Sequence, residues 1–364
     1  MMPTPPPSPS CVSLHVPESR TAPPVARRLA GRLPLALILF APILLASPSQ
    51  GAEPVRLAMP AFGADAQVEV RGLPRAQAQE AVRKALLEIH AIEQLTDPSS
   101  ALGGGVGEVE RRIASGEKAG VPVDPRTFAL LRRGMQFCLW SSGAFGPLGG
   151  GVYDLWREGL PATLDLRAAL EHSRCSLLQL ATDGASDPAP RAALPVESSF
   201  DLRGMAVGFA VDRAVDVLLR AGVGNAFVEI GNVVRAVGVG PDGRGWPVSV
   251  PGARGTRHPL DRVMLHNQSM AFIHAAQEEV RSAPRWLDLR TGVPSRGVVL
   301  IAAVSELAID TEALVATLFV VGHSQGQLLL GQLDPRPSVL WLLGENNGAP
   351  LESRYHWAAL ARPR

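Results

Sequence analysis

The sequence predicts an α/β protein, and three observations carry that expectation. Residues 200–238 read as a helix feeding a strand. Val207, Ala210, Val211, Ala214, Val215 and Leu218 recur on one helical face, Gly222 stops the helix, and Ala226 to Ile230 follows as a strand ended by Gly231. Residues 56–71 alternate, Val68 and Val70 against Gln67 and Glu69, as a strand or hairpin does. The 36 glycines and 32 prolines supply the turns that such a chain needs. Gly222-Val223-Gly224 is no dinucleotide fingerprint, because that motif runs strand, glycines, helix, and here the order is reversed.

The 364 residues suit one large or two ordinary domains. A net charge of +1 and an aromatic content of 5% argue against a nucleic-acid binder, which would carry a basic stripe and stacking side chains. Residues 1–26 are rich in proline and serine and predict no fold. Arg27, Arg28 and Arg32 then precede an apolar run, residues 33–46, interrupted by Pro34 and Pro42. That run is shorter than the ~20 residues of a membrane helix. With its basic flank and the small residues after it, it reads as a secretory signal, cleaved near residues 49–52. An uncleaved anchor in the inner membrane is the alternative. The chain thus divides into a low-complexity and signal segment, 1–52, and a domain, 53–364, expected to be exported to the periplasm. No cysteine follows the apolar run, so no lipoprotein anchor is indicated. Beyond residue 52 only Cys138 and Cys175 remain. Cys138 sits in an apolar helical stretch and reads as a buried thiol, with a Cys138–Cys175 disulfide as the alternative. No cysteine spacing suits a metal.

In chain order, residues 77–95 form a helix with Ala81, Ala85, Leu86, Ile89, Ile92 and Leu95 on one face. Asp124-Pro125 starts a helix that runs to residue 140. Residues 182–199 read as a loop. On the 207–218 helix, Asp212, Arg213, Asp216 and Arg220 fall opposite the apolar face, with Asp216 and Arg220 spaced as an i,i+4 ion pair. Residues 233–239 and 246–250 flank the Gly240-Pro241-Asp242-Gly243 turn and are expected to form a hairpin. Residues 298–305 are a buried strand, 311–322 a helix, and 339–343 a final strand.

Several of these stretches resemble the FAD:protein FMN transferase (ApbE) family. Asp201, Leu202, Gly204, Ala206, Gly208 and residues 210–213 are similar to its D-L-G-G-I-A-K-G-Y-A-V-D-R pattern. Gly222, Val223, Asn225, Ala226, Val228, Ile230 and Gly231 are similar to the G-V-x-N-A-L-V-N-I-G-G that follows. Gly143, Ala144, Phe145 and Pro147 resemble S-G-G-A-F-D-P, and Asp288, Arg290, Thr291, Gly292 and Pro294 resemble H-I-L-D-P-R-T-G-x-P. Residues 311–322 resemble A-D-A-L-A-T-A-L-F-V-L-G, with Glu312 on the aspartate. The order of these signatures holds from about residue 56 to residue 344.

The resemblance implies a two-lobed fold, mainly antiparallel sheets packed by helices, with a ligand cleft between the lobes. It implies Mg²⁺, FAD as substrate, transfer of FMN to a threonine of an exported or membrane redox protein, and release of AMP. It places Asp288 and Arg285 at the catalytic positions and Glu312 at the metal. Asp201, Gly204, Gly208, Gly231, Ala271, Thr291 and Gly292 fall at the cofactor. The chemistry asks for oxygen ligands around a hard cation and for glycine loops that let backbone N–H groups approach phosphate. The chain departs from the pattern where polar groups would act. Arg203 replaces a glycine, Val207 a lysine, Gly146 an aspartate, Arg285 a histidine and Ala316 the threonine four residues after the carboxylate. Arginine binds phosphate well but cannot serve as a base. Arg203 and His274 are the candidates to compensate. The other reading of the chain is therefore a catalytically defective relative, acting as a flavin-binding or protein-interaction module.

Overall fold

The alternating stretch near the start folds as a hairpin, β1 (Val55–Ala61) and β2 (Ala64–Val70), turned by Phe62 and Gly63 in left-handed backbone. The computed structural model describes residues 53–182, 189–252, 258–275, 284–344 and 350–357, all within one unit, 48–364. The secretory segment and Cys11 lie outside the described residues. Helix α1 (Arg75–Thr96) buries the six residues that its spacing placed on one face.

From β2 the sheet continues through β6 (Ala226–Ile230), β7 (Val233–Val237), β10 (Ser269–His274), β13 (Val298–Ser305), β14 (Ser338–Leu343) and β15 (Leu351–Tyr355). These eight strands lie in the order β1-β2-β6-β7-β10-β13-β14-β15, and every neighbour is antiparallel. The pleat sends alternate residues to opposite faces. Ala271 and Ile273 join the core shared with α1, α6 (Ala206–Arg220) and α7 (Ala308–Leu330), whereas Met270 joins a second core on the other side. That second core is closed by the β8 (Trp246–Val250) and β9 (Asp261–Leu265) pair and by Trp357. Val211, Val215 and Leu218 of α6 are fully buried, and each stabilises the fold by about 1.5–3 kcal/mol relative to exposure. Helix α7 is long and apolar enough to cross a membrane by length and composition, but most of it is buried in this core, and Gly322 (φ 76°) breaks its run.

A second lobe carries α2 (Val106–Ala114), α3 (Pro125–Trp140), α4 (Gly150–Glu158) and α5 (Thr163–His172). With them goes a small antiparallel sheet in the order β3 (Val121–Pro122), β5 (Pro190–Ala193), β4 (Gln179–Thr182). A short hairpin, β11 (Leu287–Asp288) and β12 (Val293–Pro294), completes the described strands. The fold is thus the expected α/β, two-lobed arrangement of antiparallel sheets and helices.

Six local expectations are corrected. β7 does not form a hairpin with β8: both its edges are taken, by β6 and β10, and left-handed Gly238 and Gly240 turn the chain away, so that β8 pairs with β9. Strand β5 lies within the 182–199 stretch read as loop, and β15 follows β14, read as the last strand. Asp216 pairs with Arg213 at 3.1 Å rather than with Arg220, and Asp212 is buried rather than solvent-facing. Cys138 is not a free thiol: it is bonded to Cys175, with their Cα atoms 6.1 Å apart.

Candidate active site

A cavity of about 650 Å³ opens between the two lobes, at the N-terminal end of α6. Its walls come from the end of α1, from α2 and α4, from residues 199–207, and from Arg285 and Glu312. The loop before α6 is shaped by Gly204, whose φ of 82° favours glycine. A Cβ there would lie 2.8 Å from Ala316 Cβ and 3.0 Å from the Trp286 ring. Asp201 organises the same loop. Its amide donates to Pro147 O at 2.8 Å, and its carboxylate accepts from the Arg203 amide at 2.9 Å and from the Arg203 guanidinium. The Arg203 guanidinium also lies over the Tyr153 ring, 3.8 Å from its centroid. Burial pushes the Tyr153 hydroxyl well above its ordinary range, so it stays protonated and accepts from Leu287 N at 3.2 Å.

Glu312 is the buried carboxyl of the cavity, 8% exposed. Its Oε2 accepts from Gly208 N at 2.6 Å, in the first turn of α6, where Met205 offers no side-chain cap. Asp212 returns the arrangement. It reaches from α6 to accept from Ala308 N and Ile309 N, each at 2.9 Å, at the start of α7, and from Arg235 at 2.6 Å. Each helix is therefore capped by a carboxylate of the other, which takes one first-turn N–H of α6 and two of α7 across the crossing. Burial pushes Glu312 up to about 7, against the opposing pull of the Gly208 amide and Arg285. Burial likewise pushes Asp212 up to about 6, although Arg235 works against it.

Of the residues expected at the site, Asp201, Gly204, Arg285 and Glu312 line this cavity, and Gly208 reaches it through Glu312. Arg285 also stands 5.4 Å from the centroid of the Trp286 ring. The others lie elsewhere. Asp288 and Arg290 form an ion pair, and Asp288 O accepts from Thr291 N and Gly292 N, which closes the β11–β12 turn. Thr291 and Arg290 line a separate cavity of about 730 Å³, walled by α5 and floored by the disulfide. Gly292 (φ 67°) packs against Leu166 and accepts from Trp156 Nε1 at 2.9 Å. Gly231 (φ 56°) turns β6 into β7, and Ala271 is buried in mid-sheet opposite Val233 and Ala303. His274 Nε2 donates to Gly252 O, 3.2 Å away, on the sheet face opposite Ala271 and Ile273. It does not line this cavity.

Five charged groups that the sequence did not single out also line the cavity: Glu93, Asp97, Glu110, Asp154 and Arg157. Glu110 accepts from Phe200 N at 2.6 Å and is raised by burial. Nothing in their local spacing marks them; they sit on, or at the end of, helices whose chemistry becomes visible only once the lobes meet.

The donor set does not fit a magnesium ion held by this chain. Among the described residues no three acid, histidine or cysteine side chains group as metal ligands. Burial disfavours the ionised form of Glu312, whose Oε2 is taken by Gly208 N, Ala316 offers no oxygen, and the Thr317 hydroxyl is buried without a partner. For an anionic ligand the cavity has three guanidinium groups, Arg157, Arg203 and Arg285, set among six acids, with Arg157 paired to Asp154 and Arg203 to Asp201.

The ApbE family model matches residues 62–341. A FAD:protein FMN transferase of Rhodobacter capsulatus is 26% identical over 288 residues, covering 76% of this chain and 53% of that protein. One of Treponema pallidum is 28% identical over 239 residues, covering 60% of this chain and 66% of that protein. The chain thus spans about half to two thirds of the length of these relatives. Among solved structures, the ApbE protein of Thermotoga maritima superposes with a TM-score of 0.72 at 23% identity, over 85% of this chain and 100% of that one. The flavin transferase ApbE of Vibrio cholerae superposes with a TM-score of 0.68 at 20% identity, over 85% and 99%. At these identities the superpositions show the shared fold.

Proposed function

We propose that this chain, which belongs to the ApbE family, is a FAD:protein FMN transferase that binds FAD in the cavity at the head of α6. The observation that carries the reading is the convergence there of Arg203, Arg285 and Glu312 around the Gly204 loop. The named activity of the Rhodobacter and Treponema relatives supports it. In this reading the guanidinium groups neutralise the pyrophosphate, a geometry to which arginine is suited. The hydroxyl oxygen of the acceptor, a threonine of an exported redox protein, attacks the phosphorus of the FMN half. The bond from that phosphorus to the AMP oxygen breaks, and AMP leaves. The hydroxyl proton passes to Glu312, whose carboxyl near 7 is matched to general-base work at neutral pH.

The family's magnesium dependence enters as a variable to be measured. Purified protein from Glu53 onward is titrated with FAD, with Mg²⁺ and with chelator, following flavin fluorescence and AMP release. Transfer predicts AMP release that Glu312→Gln lowers by about a hundredfold or more while leaving FAD affinity within a few-fold. No binding of FAD under either condition would sink the reading.

A second reading, a flavin-holding relative without transfer, is favoured by Ala316 and by the capture of Glu312 by Gly208. FAD binding without AMP release, in wild type as in Glu312→Gln, would establish it. The export proposal rests on the apolar run after Arg27, Arg28 and Arg32 and on the disulfide, which joins both cysteines beyond residue 52. Fractionation of cells carrying a C-terminally tagged full chain tests it: recovery in the cytosol with free thiols would reject a periplasmic location.

A further inference from the structure

Gly146 occupies the aspartate position of the S-G-G-A-F-D-P pattern, and the structure shows what fills the space of its missing side chain. A Cβ at residue 146 would lie 2.6 Å from Cys138 Sγ and 2.9 Å from Cys138 Cβ. Residue 146 is not in the left-handed region, so its backbone would admit any residue and only the cysteine excludes one. The sulfur is held in place by its bond to Cys175.

The turn around Gly146 follows the end of α3, packs on the Cys138 side chain, and flanks the loop that walls the flavin cavity. Gly143 N donates to Cys138 O at 2.8 Å, and Phe145 N donates to Ser141 Oγ at 3.2 Å. On one side of Gly146, Pro147 O accepts the Asp201 amide at 2.8 Å. On the other, the Phe145 ring lies 3.1 Å from where a Cβ of Gly204 would be. The neighbours of Gly146 thus hold both ends of the loop that presents Asp201, Arg203 and Gly204 to the cavity.

We infer that Gly146 and the Cys138–Cys175 disulfide act as one positioning unit for this wall. The glycine leaves the room that the bridge occupies, and the bridge fixes the turn that sets the loop. A side chain at 146 and the Cys138 side chain that forms the bridge are mutually exclusive at full packing. The inference rests on the flavin reading only for the identity of the ligand, not for the coupling.

The test compares wild type, Gly146→Ala, Cys138→Gly/Cys175→Ser and the triple variant. Amide exchange over residues 199–205 is followed by mass spectrometry, and FAD binding by fluorescence. Gly146→Ala is expected to speed exchange at the Asp201 amide at least about tenfold and to weaken FAD binding by a similar factor. In the cysteine-free background the same substitution is expected to change either by less than about twofold. Wild-type exchange in Gly146→Ala with the disulfide intact would overturn the inference, as would an equal penalty in both backgrounds. Should Gly146→Ala fail to fold, a folded triple variant supports the coupling and an unfolded one rejects it. If wild type binds no FAD, the flavin reading fails while the exchange cycle still decides the coupling.

Discussion

Glu312 and Asp212 show how much one side chain can be asked to do at a helix crossing. Each accepts backbone N–H donors from the helix that carries the other, one for Glu312 and two for Asp212, and the charge of Asp212 adds to the burial that raises Glu312. A pH dependence follows. Glu312 titrates near 7 when folded against an ordinary value of 4.5, and Asp212 near 6 against 3.8. Between those values the folded chain binds more protons than the unfolded one, so this contribution to stability is full at acid pH and is lost as pH rises from about 4 to about 7. Carboxylates lowered by hydrogen bonds, Asp124 by those from Arg126 and Asp261 by those from Trp357, the Arg262 amide and Arg354, act with the opposite sign, so the informative quantity is a difference. The stability of wild type minus that of Glu312→Gln, from urea unfolding, is expected to fall between pH 5 and pH 8; a flat difference would show that Glu312 is ionised throughout. The position of Glu312 was legible in the sequence through its motif. Asp212 was not, because helical spacing put it on the polar side. Its partners Arg235, Ala308 and Ile309 come from elements far along the chain, which no local pattern can announce.

At the scale of elements, the strongest sequence signals were the periodic ones. α1, β6, β13 and the hairpin of β1 and β2 fall where alternation or helical spacing put them, since a buried face imposes its own period. The β7–β8 expectation failed because strand partners are chosen across the sheet and not by the nearest turn. Glycine motifs were legible too, but for two different physical reasons. Gly222 has φ 78° and open space around it, whereas Gly208 sits in the crossing of α6 and α7. A Cβ on Gly208 would lie 2.6 Å from the Ala308 carbonyl carbon and 2.7 Å from Ile309 Cα. Backbone cannot rotate away, so the helices would have to part and both caps would lengthen. Gly208→Ala is expected to cost about 3 kcal/mol and Gly222→Ala about 1 kcal/mol, measured by denaturant midpoints. Equal losses would mean that the crossing slides to admit a methyl group.

Over the whole molecule, the cavity exists because the helix-covered sheet and the smaller lobe meet along α1, α4 and the loop into α6. Motif order along the chain foretold that two-lobed plan, but not which motif residues would share a cavity: Arg285 enters the candidate site while Thr291, six residues on, lines another. The disulfide ties the end of α3 to the turn after α5 within the smaller lobe and closes a loop of 37 residues. In the chain-entropy account, such a loop lowers the entropy of the unfolded state by an amount equivalent to about 4 kcal/mol of stability. That is a large share of the ~5–15 kcal/mol by which domains are folded. The consequence is tied to compartment. Protein recovered with its thiols reduced, or carrying Cys175→Ser, is expected to unfold at a lower guanidinium midpoint than the oxidised chain, by an amount corresponding to about 2–4 kcal/mol. The unfolding slope should rise in parallel, because the unbridged chain exposes more surface when it opens. Equal midpoints for the oxidised and reduced chains would show that contacts within the smaller lobe hold α3 and the Cys175 turn together without the bridge, and would remove the stability argument for folding in an oxidising compartment.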